Sequence, residues 1–312
     1  MISQGEQKRI AVSVIVPLRN NERYLDECLD SVCAQTLRSI EVIVVDDAST
    51  DRSAEMAETR ALADARISVV RQPVPVGAGP SRNLGMQRAR GEYLAFMDSD
   101  DRYPSPDVLE KLYRTACGQE ADICGGSLYT IDGQGQILRR DLTGQVFAEE
   151  RWYSFAEYQF EGGFYRFLYR RAFLEQEGLR FPDLKRFQDS VFCVEAMLRA
   201  GRFYAMPLWS YAYRKTHKKV IWDSRSMNDH LRGVCHLLQL SAELKLARLH
   251  GTMARNFFVT LRRRISRNFN GETVKLCGRI VRNIRFGLCL KCLFGVRQVS
   301  AAAGPTRGRF AP

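Results

Sequence analysis

The first 130 residues alternate short β-branched runs with stretches of helical periodicity, a pattern that allows little besides a parallel sheet covered by helices. Residues 10–16 (IAVSVIV) form a continuous apolar run of the kind buried on both faces of such a sheet, and Pro17 closes it. Asn20 and Asn21 then offer N-cap chemistry for a helix in which Leu25, Cys28, Leu29 and Val32 recur every three to four residues. A second strand at 40–45 runs into Asp46-Asp47-Ala48-Ser49-Thr50-Asp51, where Ser49 or Asp51 suits the cap of a helix over 52–64. A third strand follows at 67–70. The Pro- and Gly-rich stretch 72–80 predicts a loop, Ser81 the cap of a helix ending at Gly91, and 93–97 a fourth strand ending in Asp98-Ser99-Asp100-Asp101. In a doubly wound sheet, ligands bind outside the carboxyl ends of the strands near the point where strand order reverses. Both acidic clusters are therefore expected to line one cleft.

Beyond Asp107 the pattern predicts a helix over 108–117, a strand over 123–130 and a hairpin turn at 132–135. The alternation then loosens. Residues 147–173 are rich in aromatics, among them Trp152, Tyr153, Phe155, Tyr158, Phe164, Tyr165, Phe167 and Tyr169, which suit either a core or a wall that stacks on sugar rings. A helix over 188–201 carries Val191, Val194, Met197 and Leu198 on one face, and helices dominate from Asn228. A length of 312 residues suits one main domain with an appendage. The expected division is a catalytic domain over 1–222, with a nucleotide part at 10–130 and an acceptor part at 131–222, followed by a helical basic extension over 223–312.

The net charge of +12 belongs to the end of the chain: from Gly251 onward there are 13 Lys and Arg against one acid, Glu272, while the first 250 residues are neutral. Leu276, Ile280, Ile284 and Leu288 recur every fourth residue with Arg279, Arg282 and Arg285 between them, the pattern of a helix lying on an anionic membrane surface or packed on the rest of the protein. Nucleic-acid binding is disfavoured by the neutral body and by the lack of any recognised nucleic-acid motif. Nine cysteines without regular spacing argue against zinc and for a reducing compartment. The expected location is cytoplasmic with at most peripheral membrane contact, since neither a signal peptide nor a long apolar span is apparent.

Three carboxylates within Asp98 to Asp101 repel one another unless a cation is present, and hard divalent ions such as Mn²⁺ or Mg²⁺ favour carboxylate oxygens. The strings SVIVPLRNNERYLDECLDSVCAQT, IEVIVVDDASTD and SRNLGMQRARGEYLAFMDSDD, in that order and spacing, resemble the family 2 glycosyltransferases of the GT-A fold. The likeness is closest over residues 10–112, and beyond Gly162 the chain resembles bacterial surface-polysaccharide enzymes. It implies a Rossmann-like, mostly parallel α/β sheet and inverting, metal-assisted transfer of a sugar from a nucleoside diphosphate sugar, with UDP favoured. The implied acceptor is a hydroxyl of a glycan or lipid-linked glycan, including lipopolysaccharide.

By the same resemblance Pro17, Arg19 and Asn20 border the base and ribose, Asp46 accepts a base-edge N–H, and Arg82 and Asn83 stand beside the nucleotide. Asp98 lies toward the ribose and metal, Ser99 follows it, Asp100 faces the metal, and Asp101 is a further candidate ligand. Arg214, His217 and Lys218 belong to a basic loop that closes over the donor. The general base falls on Asp189, in a segment where the family carries Glu-Asp and this chain has Gln188-Asp189. A sugar nucleotidyltransferase is the nearest rival, but that class opens with a Gly-rich basic loop where this chain has PLRNNERY.

Overall fold

The computed structural model describes residues 9–140, 144–215, 222–264 and 270–292, and the chain divides into two compact units, Met1–Ile221 and Trp222–Pro312. In the first unit β1 (Val12–Leu18), α1 (Leu25–Cys33), β2 (Ile40–Asp46), α2 (Ser53–Ala63), β3 (Ile67–Arg71), α3 (Ala78–Arg88), β4 (Tyr93–Phe96) and α4 (Val108–Gly118) alternate as the sequence leads one to expect. There follow β5 (Ile123–Ile131), β6 (Ile137–Arg139), β7 (Arg151–Ser154), α5 (Phe155–Tyr158), a 3-10 turn (Phe164–Arg166), β8 (Phe167–Arg170), α6 (Arg171–Gln176), α7 (Gln188–Ala200) and β9 (Arg202–Arg214).

The sheet order is β3-β2-β1-β4-β8-β5-β9-β7, with β6 paired to β5. Strands β3, β2, β1 and β4 are parallel, and the order reverses between β1 and β4, which opens a crevice at their carboxyl ends. Strand β8 inserts antiparallel between β4 and β5, and β9 runs parallel to β5. Two reversals restore the direction, so the end of β9 reaches the same sheet edge as the end of β4. Beneath that edge Val14, Val16, Val42 and Val44 form one buried cluster with Leu25, Cys28, Leu29 and Val32 of α1. Burying a side chain of Val or Leu size contributes about 1.5–3 kcal/mol, enough for this layer to fix the strand ends rigidly. Gly85 lets α3 lie close on β1, because a Cβ there would stand 2.4 Å from Ile15 Cγ2.

Two local expectations are corrected. Asn20 and Asn21 do not cap α1; Asn20 Oδ1 accepts the Thr50 N–H at 2.7 Å, and Asn21 Nδ2 donates to Ser99 Oγ at 2.9 Å, so both tie loops together across the sheet edge. Helix α3 begins at Ala78, before the expected cap at Ser81, because Gly77 takes φ 102° and Pro80 fits the first helical turn.

The second unit contains α8 (Ser224–Glu243), α9 (Ala247–Arg264) and α10 (Gly271–Asn283), with α8 packed against both others. Asp223 caps α8 through the Ser226 N–H at 2.7 Å, and Asn270 and Thr273 form a capping box on α10. Of the two arrangements open to the expected stripe, packing is the one observed for Leu276 and Ile280. Leu276 and Ile280 are buried, at 6% and 0% exposure, and the helix ends at Asn283, before Ile284 and Leu288 could extend the row. No helix among the described residues is long and apolar enough to cross a membrane.

Candidate functional site

The acidic turn after β4 is closed by the Asp101 N–H donating to the Asp98 carbonyl at 2.9 Å, and the end of β9 is stitched onto it. Asp98 N donates to Tyr211 Oη at 3.0 Å, Tyr211 Oη donates to Asp101 Oδ2 at 2.8 Å, and Arg214 N donates to Asp101 Oδ1 at 2.6 Å. Asp101 is 2% exposed, and burial followed by repulsion from Asp100 and Asp98 raises its carboxyl well above the usual range. Two engaged oxygens and near-complete burial make Asp101 a fastener between β4 and β9. Ser99 is 5% exposed and held by Asn21. Cys28 lies directly beneath, its thiol pushed up by burial and then by Asp101, Asp100 and Asp98. Asp98 and Asp100 are half-buried and are the members of the run left at the cleft.

Arg82, on α3, reaches Asp98 Oδ1 through Nη2 at 2.5 Å. It is 4% exposed, its guanidinium lies 4.9 Å from the Phe164 ring and 5.3 Å from the Phe181 ring, and neither Nε nor Nη1 has a hydrogen-bond partner. Buried donors without partners are costly, and such exceptions concentrate where a ligand completes the site. Asn83, by contrast, is wholly taken up: Nδ2 donates to the Phe181 carbonyl at 2.7 Å, and Oδ1 accepts the Phe181 N–H at 2.9 Å. It clamps the segment leading to α7.

Asp189 lies in the first turn of α7, behind Phe187, whose φ of 73° makes it a left-handed N-cap. A bulky residue in that region is strained, and strain of this kind clusters at functional sites. Asp189 is half-buried; burial raises its carboxyl, while Arg82 and the Ser190 N–H draw it down and Asp98 raises it again. Thus Arg82 couples to acids from two elements far apart in sequence. Tyr165 and Tyr213 also feel both sides: burial first, and then Asp101, Asp98 and Asp189, push their phenols up. Tyr165 stacks on Tyr211 at 4.2 Å and on Tyr213 at 5.5 Å. Tyr165 and Tyr213 therefore lie within electrostatic reach of both the β4 acids and Asp189.

The remaining expected residues divide. Arg19 is half exposed and pairs with Asp47 at 3.4 Å, and Pro17 is half-buried at the end of β1. Asp46 is 1% exposed, and both its oxygens stand 3.3 Å from the Ser49 N–H. Arg214 departs from expectation: it is 2% exposed and donates to the Asp100 carbonyl at 2.7 Å, the Asp132 carbonyl at 2.9 Å and Glu27 Oε2 at 2.6 Å. It braces the acidic turn from behind. His217 and Lys218 lie outside the described residues. Asp47 was not anticipated; its Oδ1 accepts the Val76 N–H at 2.6 Å and its Oδ2 the Gly77 N–H at 2.9 Å, which anchors the start of α3. Tyr165 belongs to the aromatic run expected to form a core or a sugar-stacking wall; Tyr211 and Tyr213 were not anticipated there, although their strand spacing was a signal that both rings share one face.

Residues 13–178 match the family model described as Glycosyl transferase family 2, more than half of the chain. The chain belongs to this family. It is 35% identical over 231 residues to the uncharacterized glycosyltransferase EpsJ of Bacillus subtilis, covering 71% of this chain and 66% of EpsJ. It is 36% identical over 212 residues to the putative glycosyltransferase EpsH of the same organism, covering 64% of this chain and 60% of EpsH. The matched region thus falls just short of two thirds of either relative's length. The crystal structure of Staphylococcus aureus TarS residues 1–349 in complex with UDP-GlcNAc superposes with a TM-score of 0.70 at 21% identity, covering 89% of this chain and 82% of that one, a likeness of fold. Family 2 membership agrees with the GT-A-like sheet, in which the Asp98 turn, Arg82 and Asp189 meet at the strand ends.

Proposed function

We propose that this family 2 protein transfers a sugar from a nucleoside diphosphate sugar to a hydroxyl of a glycan or lipid-linked glycan, with inversion and with Asp189 as general base. The observation that carries the proposal is that Arg82 bonds Asp98 and also acts on Asp189, with Tyr165 and Tyr213 in electrostatic reach of both acids. An inverting transfer needs this opposition: a cationic and metal-binding side for the leaving diphosphate, and a carboxylate on the other face for the incoming hydroxyl.

In this reading Asp189 accepts the acceptor's proton as its oxygen bonds to the anomeric carbon and the bond to the diphosphate breaks. Arg82 opposes the rise that burial imposes on the Asp189 carboxyl and offers its unpartnered Nε and Nη1 to the charge that develops. Asp98 and Asp100 suit Mn²⁺ or Mg²⁺, since such ions take one or two protein carboxylates and complete their shell with substrate phosphates. Among the described residues no group of three or more His, Cys, Asp or Glu is placed to hold a metal, so substrate phosphates would have to complete the shell. A bound ion there would offset charge on the departing diphosphate. Uridine is the favoured base, supported by the UDP-GlcNAc complex of the TarS fold relative. Asp46 remains the base-edge acceptor because its two 3.3 Å contacts share a single N–H and leave acceptor capacity.

The test is a thermal-shift panel of UDP, GDP, CDP and dTDP sugars with and without Mn²⁺. A ligand at a hundred times its dissociation constant adds about 2.7 kcal/mol, a resolvable shift. One base is expected to stabilise in a Mn²⁺-dependent way, and Asp100→Ala is expected to remove that dependence while the unliganded melting temperature holds. Stabilisation by no nucleotide sugar, or an undiminished Mn²⁺ effect in Asp100→Ala, would contradict the assignment.

A further inference from the structure

Helix α9 carries apolar residues on both sides. Leu249, Met253, Ala254 and Phe257 are buried within the second unit. On the opposite side Phe258 and Val259 remain 54% and 41% exposed, with Arg255, Arg262 and Arg263 around them, and these five residues line a concavity of about 380 Å³. Isolated exposed apolar side chains are ordinary. Here the arrangement is what matters, because an aromatic and a β-branched residue sit side by side, with arginines one turn before and one turn after them.

The charge of this face has no internal use. Helix α9 contains no Asp or Glu, and among the described residues no carboxylate lies within ion-pair distance of Arg255, Arg262 or Arg263. Elsewhere in the unit the pattern differs: Arg225 and Arg232 pair with Asp229, and Arg232 also with Glu272. A second exposed pair, Phe286 at 75% and Leu290 at 39%, stands one helical turn apart beside the exposed Arg285 and Lys291.

We infer that the outward face of α9 lands on an anionic phospholipid surface. Guanidinium groups bind phosphate oxygens, while the apolar centre needs a medium that accepts Phe258 and Val259 beneath the level of those phosphates; the headgroup and acyl boundary of a bilayer offers both in that order. A nucleic acid supplies phosphates without the apolar layer. The face is independent of the catalytic cleft and of the stripe formed by Leu276 and Ile280, which packing uses up.

The experiment is co-sedimentation of the full chain with phosphatidylcholine vesicles with and without phosphatidylglycerol, at low and high salt. Binding is expected only with the anionic lipid and is expected to weaken as salt rises. Each basic residue near an anionic bilayer adds roughly fivefold, so Arg255→Gln/Arg262→Gln/Arg263→Gln should weaken partitioning by about a hundredfold. Phe258→Asp should weaken it by at least about tenfold while the triple variant Arg52→Gln/Arg88→Gln/Arg114→Gln, which removes equal charge from exposed sites of the first unit, keeps most of it. Melting curves of each variant report folding. Equal, negligible binding to both lipids would overturn the inference, as would equal loss in the two triple variants. Self-association without vesicles that Phe258→Asp abolishes would reassign the face to a second copy and also overturn it.

Discussion

At the scale of single residues, the cleft is governed by how one buried cation is shared. Arg82 bonds Asp98 and opposes the rise that burial imposes on Asp189, so one guanidinium serves both acids. The sign of the pH effect follows. Asp189 works as a base only when ionised; burial raises its pKa and Arg82 opposes that rise, so activity falls as pH drops through the folded value. Arg82→Met removes the opposing charge while filling the slot between Phe164 and Phe181. The acid limb of kcat/KM should therefore move to higher pH in this variant, as a pH-rate profile would measure. An unmoved limb would uncouple Arg82 from the base. Arg214 teaches a related lesson: a basic residue beside a basic run reads as a donor clamp in sequence, yet its guanidinium is consumed by Glu27 and two carbonyls.

At the scale of elements, the β-branched runs announced β1 to β4, and the acids after β2 and β4 announced the cleft edge, because a parallel strand buried on both faces has a distinctive composition. Strand β8 was not legible. FLYR is four residues long, and its place between β4 and β5 follows from pairings with residues more than forty positions away. The same limit hid the roles of Asn83 and Asp101, whose residue types matched a ligand-binding motif but whose partners, Phe181, Tyr211 and Arg214, lie about a hundred residues on. The start of α7 at Gln188-Asp189 was legible from the apolar repeat that follows it, though the strained Phe187 that sets the start was not. Asn83→Ala should destabilise the protein by about 2–4 kcal/mol, since it leaves both the amide and the carbonyl of Phe181 without their partner. Urea unfolding measures this, and a change below about 0.5 kcal/mol would mean that the clamp is dispensable.

At the scale of the whole molecule, the two units carry different chemistry. The first unit gathers acids, the buried Arg82 and Arg214 and a group of stacked tyrosines at the carboxyl edge of its sheet, and the second gathers positive charge on helices with few acids. Each unit solves its own packing problem: Ile280 belongs to the interior of the second unit while Phe258 is outside, so the sequence stripe that looked lipid-facing and the surface that is exposed are different residues. The central claim concerns the first unit, that Asp189 faces the Asp98 turn across a bound nucleotide sugar and takes the acceptor's proton. The measurement that bears on it most directly is turnover of Asp189→Asn against its donor affinity, using the nucleotide sugar that stabilises the wild-type protein and following release of the nucleoside diphosphate. The amide preserves shape but cannot take up the proton, so release should fall by at least about a hundredfold while donor affinity stays near that of the wild type. Release at the wild-type rate would move the base elsewhere and contradict the account.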